Sequence, residues 1–567
     1  MLSPLPNTAN EFISWSWGQI EPYYQELADR QLGPHNLQTW LADWSKLSKM
    51  VYEIYWRLRV AVTVNTADKE AERRYVAFLD EIQPPSQAAE QKLKEKLLDS
   101  KMSPAGFDIP LRNMQAEAKL FREQNLPLLS YELKLGAEYD KIVGAQTVKW
   151  QDEEVTLARL APVYRDSDRG MRERAWRLAH SRWLGDREAI NTVWGKLLGV
   201  RRQLAANAGL PDYRAYRWQK LLRFDYTPED CLKFHQAIEQ VVVPAASRIY
   251  EKRRQRLGLA TLRPWDLDVD TYGRPPLKPF ETIAELEGKC AAIFHRVDPK
   301  LGDYFDIMRQ DGLLDLDNRK DKAPGGYCTD FPVTQRPFIF ANSVGLHEDV
   351  QTLLHEGGHA FHFFEGFALP YYQQLYAPIE FMEVASMGME FLAAPYLTHE
   401  HGGFYTAKEA ARARIEHLES SLLFWPYMAV VDAFQHWAYT HPEAAAEPAQ
   451  CDACWDGLWQ RFMPGVDWSS LEDERKTGWH RKLHIYSDAF YYVEYGLAQL
   501  GAVQVWSKAL SDQAGAVAAY RKALAVGNTV SLPELFAAAG ANFAFDPSTL
   551  GKAVALLEEV IHDLEAV

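Results

Sequence analysis

The sequence predicts a mainly α-helical protein in two lobes, with one small β-sheet beside the helix that carries its most informative residues. Three observations predict this. Apolar residues recur three and four positions apart between charged ones over residues 37–62, 86–101, 168–207, 228–256 and 405–440, the spacing that gathers them on one face of a helix. Strand-like runs are scarce, the clearest being Arg336-Pro337-Phe338-Ile339-Phe340-Ala341-Asn342. At 567 residues the chain is also too long for a single compact core.

Taken in order, residues 1–17 lack the charged start and unbroken apolar stretch of a secretory signal. No run of about 18 apolar residues follows anywhere, so no membrane span is expected. Breaks fall at Pro84-Pro85, Pro104 to Pro110, Pro264 to Pro279 and Pro324 to Gly326. There is no repeat and no low-complexity tract. An N-terminal helical domain is placed at residues 1–190 and a catalytic part at 191–567. The sheet is expected around 325–345, its best strand preceded by Gly325-Gly326 and ended by Gly345.

A net charge of −15 repels phosphate backbones and anionic lipid, and no long basic cluster reverses it locally. Nucleic acid and membranes are therefore excluded as partners. Cys231, Cys290, Cys328, Cys451 and Cys454 are few, odd in number and mostly scattered, which fits a reducing cytoplasm better than a disulfide framework. Cys451-Asp452-Ala453-Cys454 has metal-like spacing but lacks a second pair, so it reads as structural.

The chemistry is concentrated in Leu353-Leu354-His355-Glu356-Gly357-Gly358-His359-Ala360-Phe361-His362. On a helix His355 and His359 sit one turn apart, so both imidazoles can reach one metal ion. Glu356 can then take the proton of a water activated by the metal and pass it to a leaving amine. Gly357 and Gly358 each cost an isolated helix about 1 kcal/mol, which implies that something approaches the backbone closely there. His362, slightly rotated from the ligand face, reads as a supporting or core residue.

The third ligand is less direct. Six positions after His359 stands Glu365 rather than a histidine, and the positions 19 and 20 after it hold Pro378 and Ile379. Glu365, Glu380, Glu383 and Glu390 are the nearby acidic candidates. Glu383 and Glu390 lie two turns apart on one helical face, so one can ligate while the other supports.

At this point the sequence resembles the oligoendopeptidase F branch of the thimet oligopeptidase family of zinc metallopeptidases. The segment from His355 to His362 is similar to that family's His-Glu-x-Gly-His-x-x-His form. Glu383-Val384-Ala385-Ser386 falls where the family carries its glutamate ligand, and the resemblance thus selects Glu383. His484-Ile485-Tyr486, Phe490 to Gln499, Leu262 to Asp266 and Pro337 to Asn342 are similar to further marks of the branch, over about residues 165–510. One departure is Ala489, where the branch usually has proline.

The resemblance implies a prolate helical body cut by a deep channel, with one zinc ion per chain at His355, His359 and Glu383. It implies cleavage of short peptides, with Phe338, Phe340, Tyr486 and Tyr491 near the substrate. His484, Tyr492 and Tyr495 are expected to stabilise the developing negative charge, and Tyr491 is a rival to Tyr492 one residue out of register. The main expectation is a zinc-dependent endo-oligopeptidase. The rivals are a peptidyl-dipeptidase and a non-catalytic peptide-binding protein, the latter disfavoured by the intact Glu356.

Overall fold

The structure, a computed structural model, describes residues 4–319, 322–323 and 325–567. It is mainly helical with two small sheets, as the periodicity predicts. Residues Leu37–Val64 form one long helix, α1. The 168–207 segment splits at Asp186, which ends Arg169–Gly185 and begins Arg187–Asn207. Asp168 starts the first of these by accepting from the N–H groups of Gly170 and Met171.

The expected break at Pro84-Pro85 is instead a wider turn within a run of helix. A π segment at Phe78–Ile82 joins Lys69–Ala77 to Gln83–Asp99. The same device recurs at Ile238–Val242, between Pro228–Ala237 (α2) and Val243–Arg256, just before Pro244. Proline cannot donate to the preceding turn and crowds its carbonyl, and the extra residue of a π turn relieves both.

A hairpin of Thr147–Trp150 (β1) and Glu153–Thr156 (β2) was not foreseen. Its turn is Gln151-Asp152, both at positive φ, 49° and 71°. Asn-Gly or Asp-Gly would have signalled such a turn, and Gln-Asp does not. The expected sheet is present with three strands in the order β3-β5-β4: Leu314–Asp317 (β3), Tyr327–Phe331 (β4) and Arg336–Ser343 (β5). β3 runs parallel to β5 and β4 antiparallel to it. Pro337 is tolerated in this middle strand because pairing with β3 begins only at Ile339. Pro324, part of an expected break, lies outside the described residues.

Apolar packing forms one core from residues between Ala9 and Met114, and a larger one from residues between Leu120 and Ile561. Residue 190, the expected domain boundary, falls inside the larger core. The two cores meet at the sheet: Tyr52 on α1 donates to Asp330 on β4, and Glu53 accepts from the N–H groups of Val333 and Thr334. The Leu262–Asp266 mark is a clamp rather than a site. Asp266, fully buried, accepts from Arg169 and Arg172, and Arg172 also holds the Trp265 carbonyl. Among the described residues no helix is long and apolar enough to cross a membrane, and the five cysteines are free thiols.

Candidate active site

β5 turns at Gly345 (φ +92°) directly into the helix His347–Gly366, α3. The Asp349 carboxylate fixes that turn by accepting from the N–H groups of Val344, Gly345 and Leu346, each at 2.8 Å. α3 crosses Ile379–Ala393, α4, in close contact. A Cβ at Gly358 would stand 2.5 Å from the Ala385 carbonyl oxygen and 2.6 Å from the Ser386 Cα. One at Gly357 would meet the Phe294 ring at 2.6 Å. Gly358 thus lets α4, and with it Glu383, lie against the histidine face of α3, while Gly357 makes room for the Phe294 ring of the helix Ile283–Val297.

His355, His359 and Glu383 come together as a candidate metal cluster, their donor atoms all within 4.8 Å of one another. Glu383 Oε2 lies 3.5 Å from His355 Nε2 and 3.7 Å from His359 Nε2. Two imidazole nitrogens and a carboxylate oxygen are a donor set that zinc takes in catalytic sites, with a position left for water or substrate. The side chains of His355 and His359 are 23% and 13% exposed, so the cluster opens to solvent rather than being sealed. Burial opposes the Glu383 charge, but the two imidazoles and the Tyr491 hydroxyl hold its pKa down to about 2. The residues fit zinc.

Glu390 and Glu383 do separate work. Glu390 Oε1 lies 2.7 Å from His355 Nδ1 and its Oε2 lies 2.9 Å from His417 Nε2, on the helix Ala407–Thr440 (α5). A carboxylate on the far nitrogen fixes the ring orientation and keeps Nε2 free for the metal. His417 was not foreseen. It carries no local signal, because its partner is brought to it only by the packing of α4 on α5. Of the other acidic candidates, Glu365 pairs with Arg521, and Glu380 accepts from Tyr226 at 2.6 Å.

The Glu356 carboxylate lies beside the cluster and against the start of β4, 3.9 Å from where a Gly326 Cβ would be. Burial pushes its pKa up to about 7, the His355 imidazole working against the shift and the Glu383 carboxylate with it. His362 is buried, neither ring nitrogen has a hydrogen-bond partner, and its ring packs on Phe381.

The tyrosine segment faces the cluster through Tyr491, whose hydroxyl donates to Glu383 Oε1 at 3.0 Å. Tyr495, on the helix Tyr492–Ala509 (α6), packs on Tyr491 with ring centroids 5.1 Å apart. His484 lies beside both, 5.8 Å from Tyr491 and 5.9 Å from Tyr495, and burial lowers its pKa to about 4, so the ring is neutral. Tyr492 packs on His484 at 5.1 Å and on Tyr495 at 5.6 Å from the side of Phe424 and Tyr427, and its hydroxyl accepts from Lys482 at 2.8 Å.

The turn before these tyrosines is pinned without proline at 489. Phe490 has φ +64°, donates its N–H to Gln435 Oε1 and accepts at its carbonyl from Arg223; Arg217 holds the Ala489 carbonyl. Three of the residues expected at the substrate are buried in packing instead. Tyr486 is fully buried and stacks on Tyr139 at 4.1 Å. Phe340 stacks on Tyr327, and Phe338 packs near Phe331 in the cluster between the sheet and α1.

The helical fold and the His355–Glu356–His359–Glu383 arrangement define a metallopeptidase. Residues 163–550 match the model of peptidase family M3, and the chain belongs to that family. Membership implies zinc at this cluster and peptides as substrates. The chain is similar over 98% of both lengths to a crystal structure assigned as an oligoendopeptidase F (26% identity, TM-score 0.89). It is similar over 100% of its own length and 99% of the other to Pz peptidase A solved with an inhibitor (26% identity, TM-score 0.86). A protein from Bacillus anthracis str. Ames assigned as an oligoendopeptidase F shares the fold (22% identity, TM-score 0.83, 99% and 98% covered). No curated protein matches the sequence at a significant level.

Proposed function

We propose that the chain is a zinc-dependent endo-oligopeptidase that hydrolyses internal bonds of short peptides, with one catalytic zinc at His355, His359 and Glu383. The observation that carries the reading is the position of Glu356, between the ligand cluster and the sheet. Among the described residues β4 has a strand on one side only, so an extended peptide can add to its outer edge by backbone hydrogen bonds and pass the Glu356 carboxylate. Main-chain recognition of that kind tolerates many side chains. The restriction to short peptides is drawn from the likeness, at 26% identity, to an oligoendopeptidase F and to Pz peptidase A.

Zinc held by His355, His359 and Glu383 would supply Lewis acidity toward a carbonyl oxygen and a water. Glu356 takes the proton of the attacking water and delivers it to the leaving nitrogen, a role that its place between the ligand cluster and β4 allows. His355, His359 and Glu383 would hold the ion, and Glu390 keeps His355 oriented. Tyr495 and His484, packed beside Tyr491, offer a hydroxyl and an imidazole donor for the charge that develops on the carbonyl oxygen, while the Tyr491 hydroxyl holds the Glu383 carboxylate. Tyr492 supports their packing through its contact with Lys482.

A peptide of about ten residues with both termini blocked tests this, its products read by mass spectrometry. Internal cuts are expected, lost on chelation and restored by zinc. A chain that leaves the blocked peptide intact and releases dipeptides from a free C-terminus would be a peptidyl-dipeptidase.

A further inference from the structure

A second cluster of metal-ligand residue types lies away from the active site. Cys231 and His235 stand four apart on α2, and Asp432 and His436 four apart on α5. Each pair shares a helix face, by the same arithmetic that brings His355 and His359 together. α2 and α5 pack on one another. The donor atoms of Cys231, Asp432 and His436 all lie within 4.8 Å of one another. His235 Nε2 is 2.8 Å from Asp432 Oδ2. Asp432 is 15 residues beyond His417 on α5, about 22 Å along the helix axis.

All four side chains are buried, Cys231 and Asp432 at 0%, His235 at 3% and His436 at 4% relative exposure. Yet the cluster is poorly satisfied as a set of hydrogen bonds. Asp432 Oδ1 has no partner, and neither does Nδ1 or Nε2 of His436. His436 Nε2 comes within 3.2 Å of Asp432 Oδ2 without hydrogen-bond geometry. Buried polar atoms are rarely left in this state, and several converging on one point call for a group the protein chain does not provide.

We propose that Cys231, Asp432 and His436 bind a second divalent transition-metal ion of the zinc class, with His235 orienting Asp432, and that this site is structural rather than catalytic. A tetrahedral zinc ion places sulfur and nitrogen ligands about 3.5 Å apart, within the observed spread. The charges balance. Binding of the dication expels the Cys231 thiol proton to solvent, leaving one thiolate and one carboxylate against two positive charges. The nearby Arg223 does not oppose it, being paired with Glu494 at 2.5 Å and lying 3.6 Å from Glu380. The ion would also brace the turn that delivers Tyr491, since the Phe490 ring packs 5.1 Å from His436 and its N–H is held by Gln435.

The two sites differ in one donor that can be seen directly: the catalytic cluster has no sulfur. Cobalt loaded into the full-length chain therefore gives a thiolate-to-cobalt charge-transfer band only if the Cys231 site fills. The band is expected in the wild type and in Glu383→Ala, which disables the catalytic site alone. It should disappear in Cys231→Ser and His436→Ala, with total metal content lower by one equivalent per chain. Absence of the band in cobalt-loaded wild type that retains hydrolysis would overturn the proposal and leave a metal-free polar cluster. A band of full intensity in Cys231→Ser would overturn it too, by assigning the sulfur elsewhere. Absence of the band in wild type and in Glu383→Ala overturns the proposal even if the other variants fail to fold, and none of these readings depends on whether the active site cuts internal bonds.

Discussion

Replacing Glu356 with glutamine is expected to leave fold and metal content unchanged while lowering kcat by at least about 10²-fold. The amide has the same shape as the carboxyl, and Glu356 is not one of the three clustered donors, so neither packing nor metal affinity depends on its charge. What it loses is the capacity to accept a proton. Glu356 is only 8% exposed and abuts the start of β4, while Asp330 on that strand is engaged by Tyr52 and Tyr376. Steady-state hydrolysis of a fluorogenic peptide, with metal content measured on the same samples, checks this. Near-wild-type turnover in Glu356→Gln would remove Glu356 from the reaction.

The second large effect is expected from a residue that touches no substrate. In Gly358→Ala the new methyl group would lie 2.5 Å from the Ala385 carbonyl oxygen, and backbone cannot rotate aside as a side chain can. The helices must part by several tenths of an ångström, and overpacking of this kind costs about 1–3 kcal/mol. Ser386 is one turn from Glu383, so the same displacement carries the third ligand away from His355 and His359. Misplacement approaching 1 Å at a reacting centre costs about 10²-fold, and a loss of that order is expected in kcat/KM, together with weaker zinc binding. Gly357→Ala is the contrasting case, because its methyl meets the Phe294 ring, which has room to turn only by disturbing its packing on Phe305 and Phe361. It should cost stability more than zinc affinity. Wild-type zinc affinity and kcat/KM in Gly358→Ala would show that the α3–α4 approach does not position Glu383.

These two residues also mark what the sequence makes legible. Helix periodicity locates α1 because it buries one long apolar face, and the spacing of His355 and His359 is itself a statement about helix geometry. The glycine pair announces a close approach, though not that the approaching element is α4. The role of Glu390 as partner of His355 is foreseeable from its seven-residue offset from Glu383, whereas His417 is not, because α4 and α5 meet only in the folded chain. The same holds for the hydroxyl of Tyr491 on Glu383. Neighbouring tyrosines look alike in sequence, and it is the left-handed Phe490, with the anchors on its backbone, that precedes the tyrosine whose hydroxyl reaches Glu383. Tyr486 misleads for a related reason. It sits beside His484 in sequence, but Arg201 binds the Ile485 and Tyr486 carbonyls and turns the ring into the core.

The most direct test of the account is the zinc content of Glu383→Ala measured beside the wild type after identical zinc loading and gel filtration. If His355, His359 and Glu383 hold the catalytic ion, the variant loses one equivalent per chain and its peptide hydrolysis together, whatever the occupancy of the Cys231 cluster. Full wild-type zinc content in Glu383→Ala, with hydrolysis retained, would contradict the assignment of this cluster as the metal centre.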